Sequence, residues 1–299
     1  MTIGVVAPSS PVSVRKLEKG IQLLEARGYM VERGVHLYDR HAYLAGTDEG
    51  RAADLQQMLV REDIDAVFCA RGGFGACRIV ELIDWDLIAK SRPKPFAGFS
   101  DLTTIHLAIE RRLGWTSFHS PVLTTMGEGI SPVAEECFWN LLERSEPLGL
   151  MDSPPQNMTT IVPGVAQGAL AGGCLSMLCA SIGTWEQPNF AGKIVALEDT
   201  NEPLYRVDRY VNQLIRSGLL DDCVGIVLGT VTGWEKDLKE PISRTLDDVW
   251  REYFVPLGKP VISGFPFGHE PDPLTLPFGC LVELDAMERK LTILETAVS

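Results

Sequence analysis

The stretch Pro95-Phe96-Ala97-Gly98-Phe99-Ser100-Asp101-Leu102 carries an apolar run through a glycine into a serine that opens an amphipathic segment. Downstream of it, Leu102, Ile105, Ala108, Ile109 and Leu113 recur at i, i+3, i+4 spacing and form the buried stripe of a helix over 101–113. A strand over 95–98 feeding that helix through a tight turn is half of a βα unit. The same alternation runs back to the start of the chain. Strands over 3–7, 29–33 and 66–70 alternate with helical patterns over 14–27, 50–61 and 76–84. Strands interleaved with helices of this length predict an α/β domain whose largely parallel, Rossmann-like sheet is covered on both faces.

From Ser145 to Pro163 the composition shifts to Pro, Ser, Asn and Thr, and Pro147, Pro154, Pro155 and Pro163 interrupt any regular element. This divides the chain into an N-terminal α/β domain over 1–144, a connection over 145–163 and a C-terminal domain over 164–299. Beyond the connection, a strand starting at Gly168 runs through Gly172-Gly173 into a helix. Further strands are predicted over 193–197, 224–229, 260–263, 279–284 and 290–294, with a helix over 205–217. The expectation is a smaller, mixed α/β and β-rich domain.

A formal charge of -13 with no basic run or aromatic ladder argues against a nucleic-acid surface and favours small-molecule ligands. The start, Met1-Thr2-Ile3-Gly4-Val5-Val6-Ala7-Pro8, lacks a basic leader region, and no run of about 18 apolar residues occurs, so a soluble, unexported chain with no membrane partner is expected. Seven cysteines without a CxxC pair read as reduced, mostly buried thiols of a cytoplasmic protein. The five histidines are too dispersed to announce a metal cluster, so no metal is expected.

Three loops follow predicted strands: Gly98-Phe99-Ser100-Asp101, Leu197-Glu198-Asp199-Thr200-Asn201-Glu202 and Gly264-Phe265-Pro266-Phe267-Gly268-His269-Glu270. Carboxyl ends of strands are where α/β proteins assemble sites. A serine hydroxyl is almost wholly protonated at neutral pH, so it becomes a nucleophile only with a base in hydrogen-bond reach and an acid to orient that base. Ser100, Glu198 and His269 supply the set. Each has a structural reading beside the catalytic one. Ser100 and Asp101 suit helix N-caps, Asp199 suits a loop acceptor, and His106 suits a packed residue. The turn Arg71-Gly72-Gly73-Phe74-Gly75 lacks both GxGxxG spacing and a Walker lysine, so it reads as a tight turn or as the donor of an oxyanion-binding amide.

Taken together, Ala7-Pro8-Ser9, Arg71-Gly72-Gly73-Phe74-Gly75, Gly98-Phe99-Ser100-Asp101-Leu102-Thr103, Phe118-His119-Ser120-Pro121, Leu197-Glu198-Asp199 and Pro266-Phe267-Gly268-His269-Glu270 resemble the LD-carboxypeptidase family of serine peptidases over nearly the whole chain. The resemblance implies a cytoplasmic murein tetrapeptide carboxypeptidase of peptidoglycan recycling, a homodimer, with its site between two domains. It places nucleophile, acid and base on Ser100, Glu198 and His269, and oxyanion donors on the backbone amides of Gly73 and Asp101. Two motifs depart from the family pattern. His119-Ser120-Pro121-Val122 stands for His-Gly-Pro-Met, and Gly172-Gly173-Cys174 stands for Gly-Gly-Asn. Both leave the triad intact and bear on substrate identity.

By that resemblance His269 would take the Ser100 proton as the hydroxyl attacks the carbonyl preceding a terminal D-alanine, with Glu198 orienting the imidazole. No metal or organic cofactor is required. An exopeptidase must also hold its substrate's terminal carboxylate, for which Arg71, Arg206 and Arg209 are candidates beside their reading as surface ion-pair residues. Glu202 and Glu270 are candidates for a substrate amine. A sister group cleaves peptide-nucleotide antibiotics of the microcin type, which leaves a peptide-nucleotide substrate open. From another class altogether stands a non-catalytic nucleotide- or small-ligand-binding module, in which Gly72, Gly73 and Gly75 approach a phosphate and Ser100 merely caps a helix.

Overall fold

The computed structural model of the chain describes residues 1–151, 153, 158–235 and 244–298. The chain forms two compact units, Met1–Glu135 and Glu136–Ser299.

The first unit contains β1 (Thr2–Val6), α1 (Val14–Ala26), β2 (Met30–Arg33), α2 (Asp48–Val60), β3 (Ala66–Cys69), α3 (Ala76–Ile79), α4 (Trp85–Ile88), β4 (Phe96–Gly98), α5 (Thr103–Leu113), β5 (Ser117–His119) and α6 (Leu123–Met126). Its strands lie in the order β5-β4-β3-β1-β2 and pair in parallel throughout. Read from the other edge this is 2-1-3-4-5, a doubly wound order whose direction switches between β1 and β3. The central strands β3 and β4 are wholly buried, as continuous apolar runs require when helices cover both faces. Helix α5 turns its apolar stripe inward and ends on Gly114, whose φ of 64° gives the left-handed cap. The pattern over 76–84 resolves into α3 and a short 3-10 turn over Val80–Leu82.

Helix α7 (Pro132–Glu143) runs across the division between the units. The second unit continues with β6 (Gly149–Leu150), β7 (Thr159–Val162), β8 (Val165–Cys174), α8 (Leu175–Ala180), β9 (Lys193–Thr200), α9 (Leu204–Arg216), β10 (Gly225–Thr232), α10 (Leu246–Phe254), β11 (Val261–Ser263), β12 (Leu276–Phe278), β13 (Leu281–Asp285) and β14 (Lys290–Ile293). Its eight-stranded sheet has the order β6-β14-β13-β8-β9-β10-β11-β7. The four strands β8 to β11 are parallel, and β13, β14, β6 and β7 extend them antiparallel on either side.

The segment 145–163 is more than a connection. It supplies β6 and β7, which lie at the two edges of this sheet. Proline-interrupted segments can form short strands there, because an edge leaves one side of the backbone unpaired. Pro154 and Pro155 lie outside the described residues. With this segment included, the second unit runs from Glu136 to Ser299.

Candidate active site

Ser100 follows β4 by two residues and sits in a 3-10 turn ahead of α5, with a φ of 69°. A positive φ is uncommon for a residue with a Cβ and stores strain that the surroundings must hold in place. A serine held so at a strand-to-helix turn is the arrangement of a nucleophile elbow. The N-cap positions of the 3-10 turn and of α5 fall on Phe99 and Leu102, and Ser100 is the first residue of the 3-10 turn.

Behind the elbow lies His106, fully buried on α5. Its Nε2 lies 2.8 Å from the Gly98 carbonyl and its Nδ1 2.8 Å from Ser117 Oγ. A carbonyl only accepts, so Nε2 carries the proton and the Ser117 hydroxyl donates to Nδ1. Burial drives the His106 pKa down to about 3, with His119 nearby adding to the effect, so the ring is neutral at ordinary pH. The ring also meets Phe96 edge-on at 5.2 Å between centroids. His106 is thus packed, and it also holds the carbonyl two residues before Ser100.

The turn Arg71–Gly75 lies against the same elbow. A Cβ added at Gly72 would come within 3.1 Å of the Ser100 Cβ, so the glycine backbone lies in close contact with the serine. The Arg71 guanidinium donates to the Pro11 carbonyl at 2.7 Å, tying the turn to the loop after β1.

Asp101 differs from its expected role as a cap of its own helix. Its buried carboxylate reaches across to the neighbouring loops, where Oδ2 accepts from Ser9 Oγ at 2.6 Å and from the Ala76 amide, at the start of α3, at 2.8 Å. Burial raises its pKa, while the Ser9 and Ala76 bonds and the Arg51 charge oppose that rise.

In the second unit, Glu198 is a strand residue rather than a loop residue. It lies within β9, opposite Cys174 of β8, near the carboxyl ends of both strands. Its side chain is fully buried, and Oε2 accepts from His269 Nδ1 at 2.6 Å and from the His269 amide at 3.2 Å. The position that allows this is Gly268. Its φ is 86°, and a Cβ there would overlap the Glu198 carboxyl group, so only glycine lets the loop after β11 lie on the acid.

With Nδ1–H given to Glu198, Nε2 of neutral His269 keeps its lone pair and can act as a base. Burial alone would depress the His269 pKa. The charge and hydrogen bond of Glu198, backed by the charge of Asp199, outweigh burial and hold it above its ordinary 6.5.

Asp199 is an acceptor, as expected. It takes the Ser176 amide of α8 at 2.8 Å, its own neighbour Thr200 at 2.8 Å, and the Cys174 thiol at 3.3 Å. Cys174, where many family members have Asn, therefore bonds the residue beside the acid. Glu270 is half-buried, and burial together with the Glu198 charge raises its pKa. Arg206 pairs with Glu202 at 3.4 Å, and Arg209 lies over the Tyr205 ring at 5.5 Å. Each meets a neighbour four residues earlier in the chain. Among the described residues no group of three His, Cys, Asp or Glu side chains is arranged to hold a metal ion, and no helix is long and apolar enough to cross a membrane.

Residues 3–120 match the family model of the LD-carboxypeptidase N-terminal domain, and residues 167–284 match that of the LD-carboxypeptidase C-terminal domain. The chain belongs to the LD-carboxypeptidase family. The expected serine-type LD-carboxypeptidase and the α/β fold of its two halves are both met. A murein tetrapeptide carboxypeptidase of Pseudomonas aeruginosa is 32% identical, covering 93% of this chain and 91% of that protein. The crystal structure of a muramoyltetrapeptide carboxypeptidase from Oxalobacter formigenes is 29% identical with a TM-score of 0.83, covering 98% of each chain. The structure of MccF in complex with glutamyl sulfamoyl guanosine has a TM-score of 0.88 at 22% identity, covering 100% of this chain and 97% of that one, and shares the fold.

Sequence reasoning about this LD-carboxypeptidase passed over three supporting residues. Gly268 carried a visible signal, a glycine directly before the expected base. The anchoring of Gly98 by His106 carried none, since a buried histidine in an apolar helix reads as packing. Arg51, buried under the Pro8 and Gly75 carbonyls, carried none either.

Proposed function

We propose that this protein is a serine carboxypeptidase that hydrolyses the L,D-peptide bond before the terminal D-alanine of murein tetrapeptides, with Ser100, His269 and Glu198 as its triad. The observation that carries the reading is the Glu198–His269 pair, because donation of Nδ1–H to a buried carboxylate leaves Nε2 as the acceptor for a serine proton. The strained turn that presents Ser100 supports it from the other unit.

In this reading His269 removes the Ser100 proton as Oγ attacks the carbonyl carbon of the residue before D-alanine. Glu198 stabilises the imidazolium that results. The backbone amides of Gly73 and Asp101 receive the oxyanion. The tetrahedral intermediate collapses as His269 protonates the leaving D-alanine amine. Water, deprotonated by His269, then attacks the acyl-enzyme and restores Ser100. Arg71, Arg206 and Arg209 are the candidates for the substrate carboxylate, each with a partner that it would have to share or release: the Pro11 carbonyl, Glu202 and the Tyr205 ring. Glu270 is the candidate for a substrate amine. A cytoplasmic homodimer serving peptidoglycan recycling is the setting this chemistry suits.

The test is mass-spectrometric detection of D-alanine release from a UDP-linked muramoyl tetrapeptide, with Ser100→Ala in parallel. Release by the parent and none by the variant is expected, together with labelling of a Ser100 peptide by a serine-directed phosphonate. Folded parent protein that neither releases D-alanine nor takes the label would remove the murein reading. Cleavage of a peptide-nucleotide instead would assign the site to a microcin-type immunity peptidase. Ligand binding unaffected by Ser100→Ala, without turnover or labelling, would leave a binding module.

A further inference from the structure

We propose that the Asp101 carboxylate is a positioning residue that sets the spacing of the two oxyanion donors, an inference that rests on the serine-peptidase reading above. One donor is the amide of Asp101 itself. The other is the amide of Gly73, on a different loop. Two amides serve one oxyanion only if the loops carrying them are fixed to each other within a fraction of an ångström. The Asp101 side chain makes that connection directly. From the residue that carries the first amide, Oδ2 accepts from Ala76, three residues beyond Gly73, and from Ser9 on the loop after β1.

The rest of the turn is fixed in register with this tether. The Ser10 amide donates to the Gly72 carbonyl at 3.2 Å, and Ser10 Oγ accepts from the Phe74 amide at 3.1 Å. The buried Arg51 guanidinium donates to both the Pro8 and Gly75 carbonyls, and Asp48 holds its other end. Gly73 therefore sits between two restrained neighbours. Its φ is 112°, and a Cβ there would overlap Ser10. The three loops leave β1, β3 and β4 at their carboxyl ends, beside the switch point of the sheet, where doubly wound folds bind ligands. Ser9 is fully buried, so its hydroxyl depends on partners inside the fold.

A carboxylate acting in this way affects the transition state and leaves ground-state binding nearly unchanged. The experiment measures kcat, KM, thermal midpoint and the affinity of a tetrahedral peptide boronate for the full-length parent, Asp101→Ala, Asp101→Asn and Ser9→Ala. Asp101→Ala keeps the backbone amide, and it is expected to lower kcat by about 100-fold with KM within about twofold and boronate affinity falling in parallel. Asn presents one carbonyl oxygen in place of Oδ2, so Asp101→Asn is expected to recover most of the rate.

Folded Asp101→Ala with parental kcat, a kcat loss without weaker boronate binding, or Asp101→Asn no better than Asp101→Ala would each overturn the proposal. If Asp101→Ala does not fold, Ser9→Ala decides. It cuts one arm and leaves the Ala76 bond, and a drop in kcat of roughly five- to tenfold at constant KM is expected. Unchanged kcat there overturns the proposal as well. A parent inert toward the tetrapeptide removes the serine-peptidase reading itself, whereas an active parent with indifferent variants removes only the role of Asp101.

Discussion

In the proposed mechanism the first unit contributes mainly backbone groups beside the Ser100 hydroxyl, whereas the second contributes side chains. Around Ser100 these are a strained φ, two expected amide donors and a carbonyl bonded by His106, with the Asp101 side chain bridging the neighbouring loops. Around His269 the working parts are one imidazole and one carboxylate, brought together because Gly268 lets a loop pack on the acid. Backbone geometry gives direction without a titratable charge. Side-chain pairs give basicity and bring a pH dependence with them. A substitution should therefore act through shape in the first unit and through charge in the second.

The strongest test of this contrast removes the nucleophile. Ser100→Ala leaves the backbone and its positive φ in place, so turnover is expected to fall by about 10⁴-fold or more while the thermal midpoint stays near the parental value. A residual rate within tenfold of the parent would take Ser100 out of the chemistry.

Glu198→Gln tests the charge side. It preserves shape and removes the negative charge beside His269, and a loss of about 10³- to 10⁴-fold in kcat is expected. The pH profile sharpens the point. His269 must be neutral to act as a base and its pKa is raised, so kcat/KM should climb with pH through a midpoint above 6.5. In Glu198→Gln that midpoint should move down. The linkage has the opposite sense for stability. The raised pKa means that the ion pair contributes fully below 6.5, and its contribution is lost as pH rises through the folded-state value. A midpoint indifferent to Glu198 would separate the pair.

Gly268→Ala tests shape in the unit otherwise governed by charge. It forces a Cβ against the Glu198 carboxyl at a positive φ, so a loss of roughly 1–3 kcal/mol of stability is expected by denaturant titration, and kcat should fall with it. Full stability with full activity would show that the loop has another way to reach the acid.

His106 gives a further, smaller contrast within the first unit. Its pKa is pushed down to about 3, so below about 6.5 the unfolded chain takes up a proton that the folded one refuses, and stability falls progressively toward pH 3. In His106→Asn the acid slope of the thermal midpoint should flatten; an unchanged slope would place the acid sensitivity elsewhere. Smallest of all, Arg206→Ala should change kcat/KM by no more than about twofold, as expected of an exposed ion pair. A large rise in KM would identify Arg206 as a carboxylate binder.

The sequence alone determined the alternation of strands and helices in the first half, because hydrophobic periodicity is a local property of the chain. It also placed Ser100 at a strand-to-helix turn, since a strand, a glycine and a serine before an apolar stripe lie within a few residues of one another, but it left cap and nucleophile both open there. Glu198 and His269 were legible as candidates by residue type and by their place after strands. The edge strands β6 and β7 were not legible, because their pairing partners lie far away in the chain and proline content masks an edge position.

Only the tertiary structure decided that the Glu198 carboxylate holds His269 through Nδ1 and that Asp101 spans to Ser9 and Ala76 instead of capping its own helix. The reason is common to both. A side chain's partner is set by which backbone segments the sheet order makes adjacent, and that order is a long-range property that no window of sequence contains.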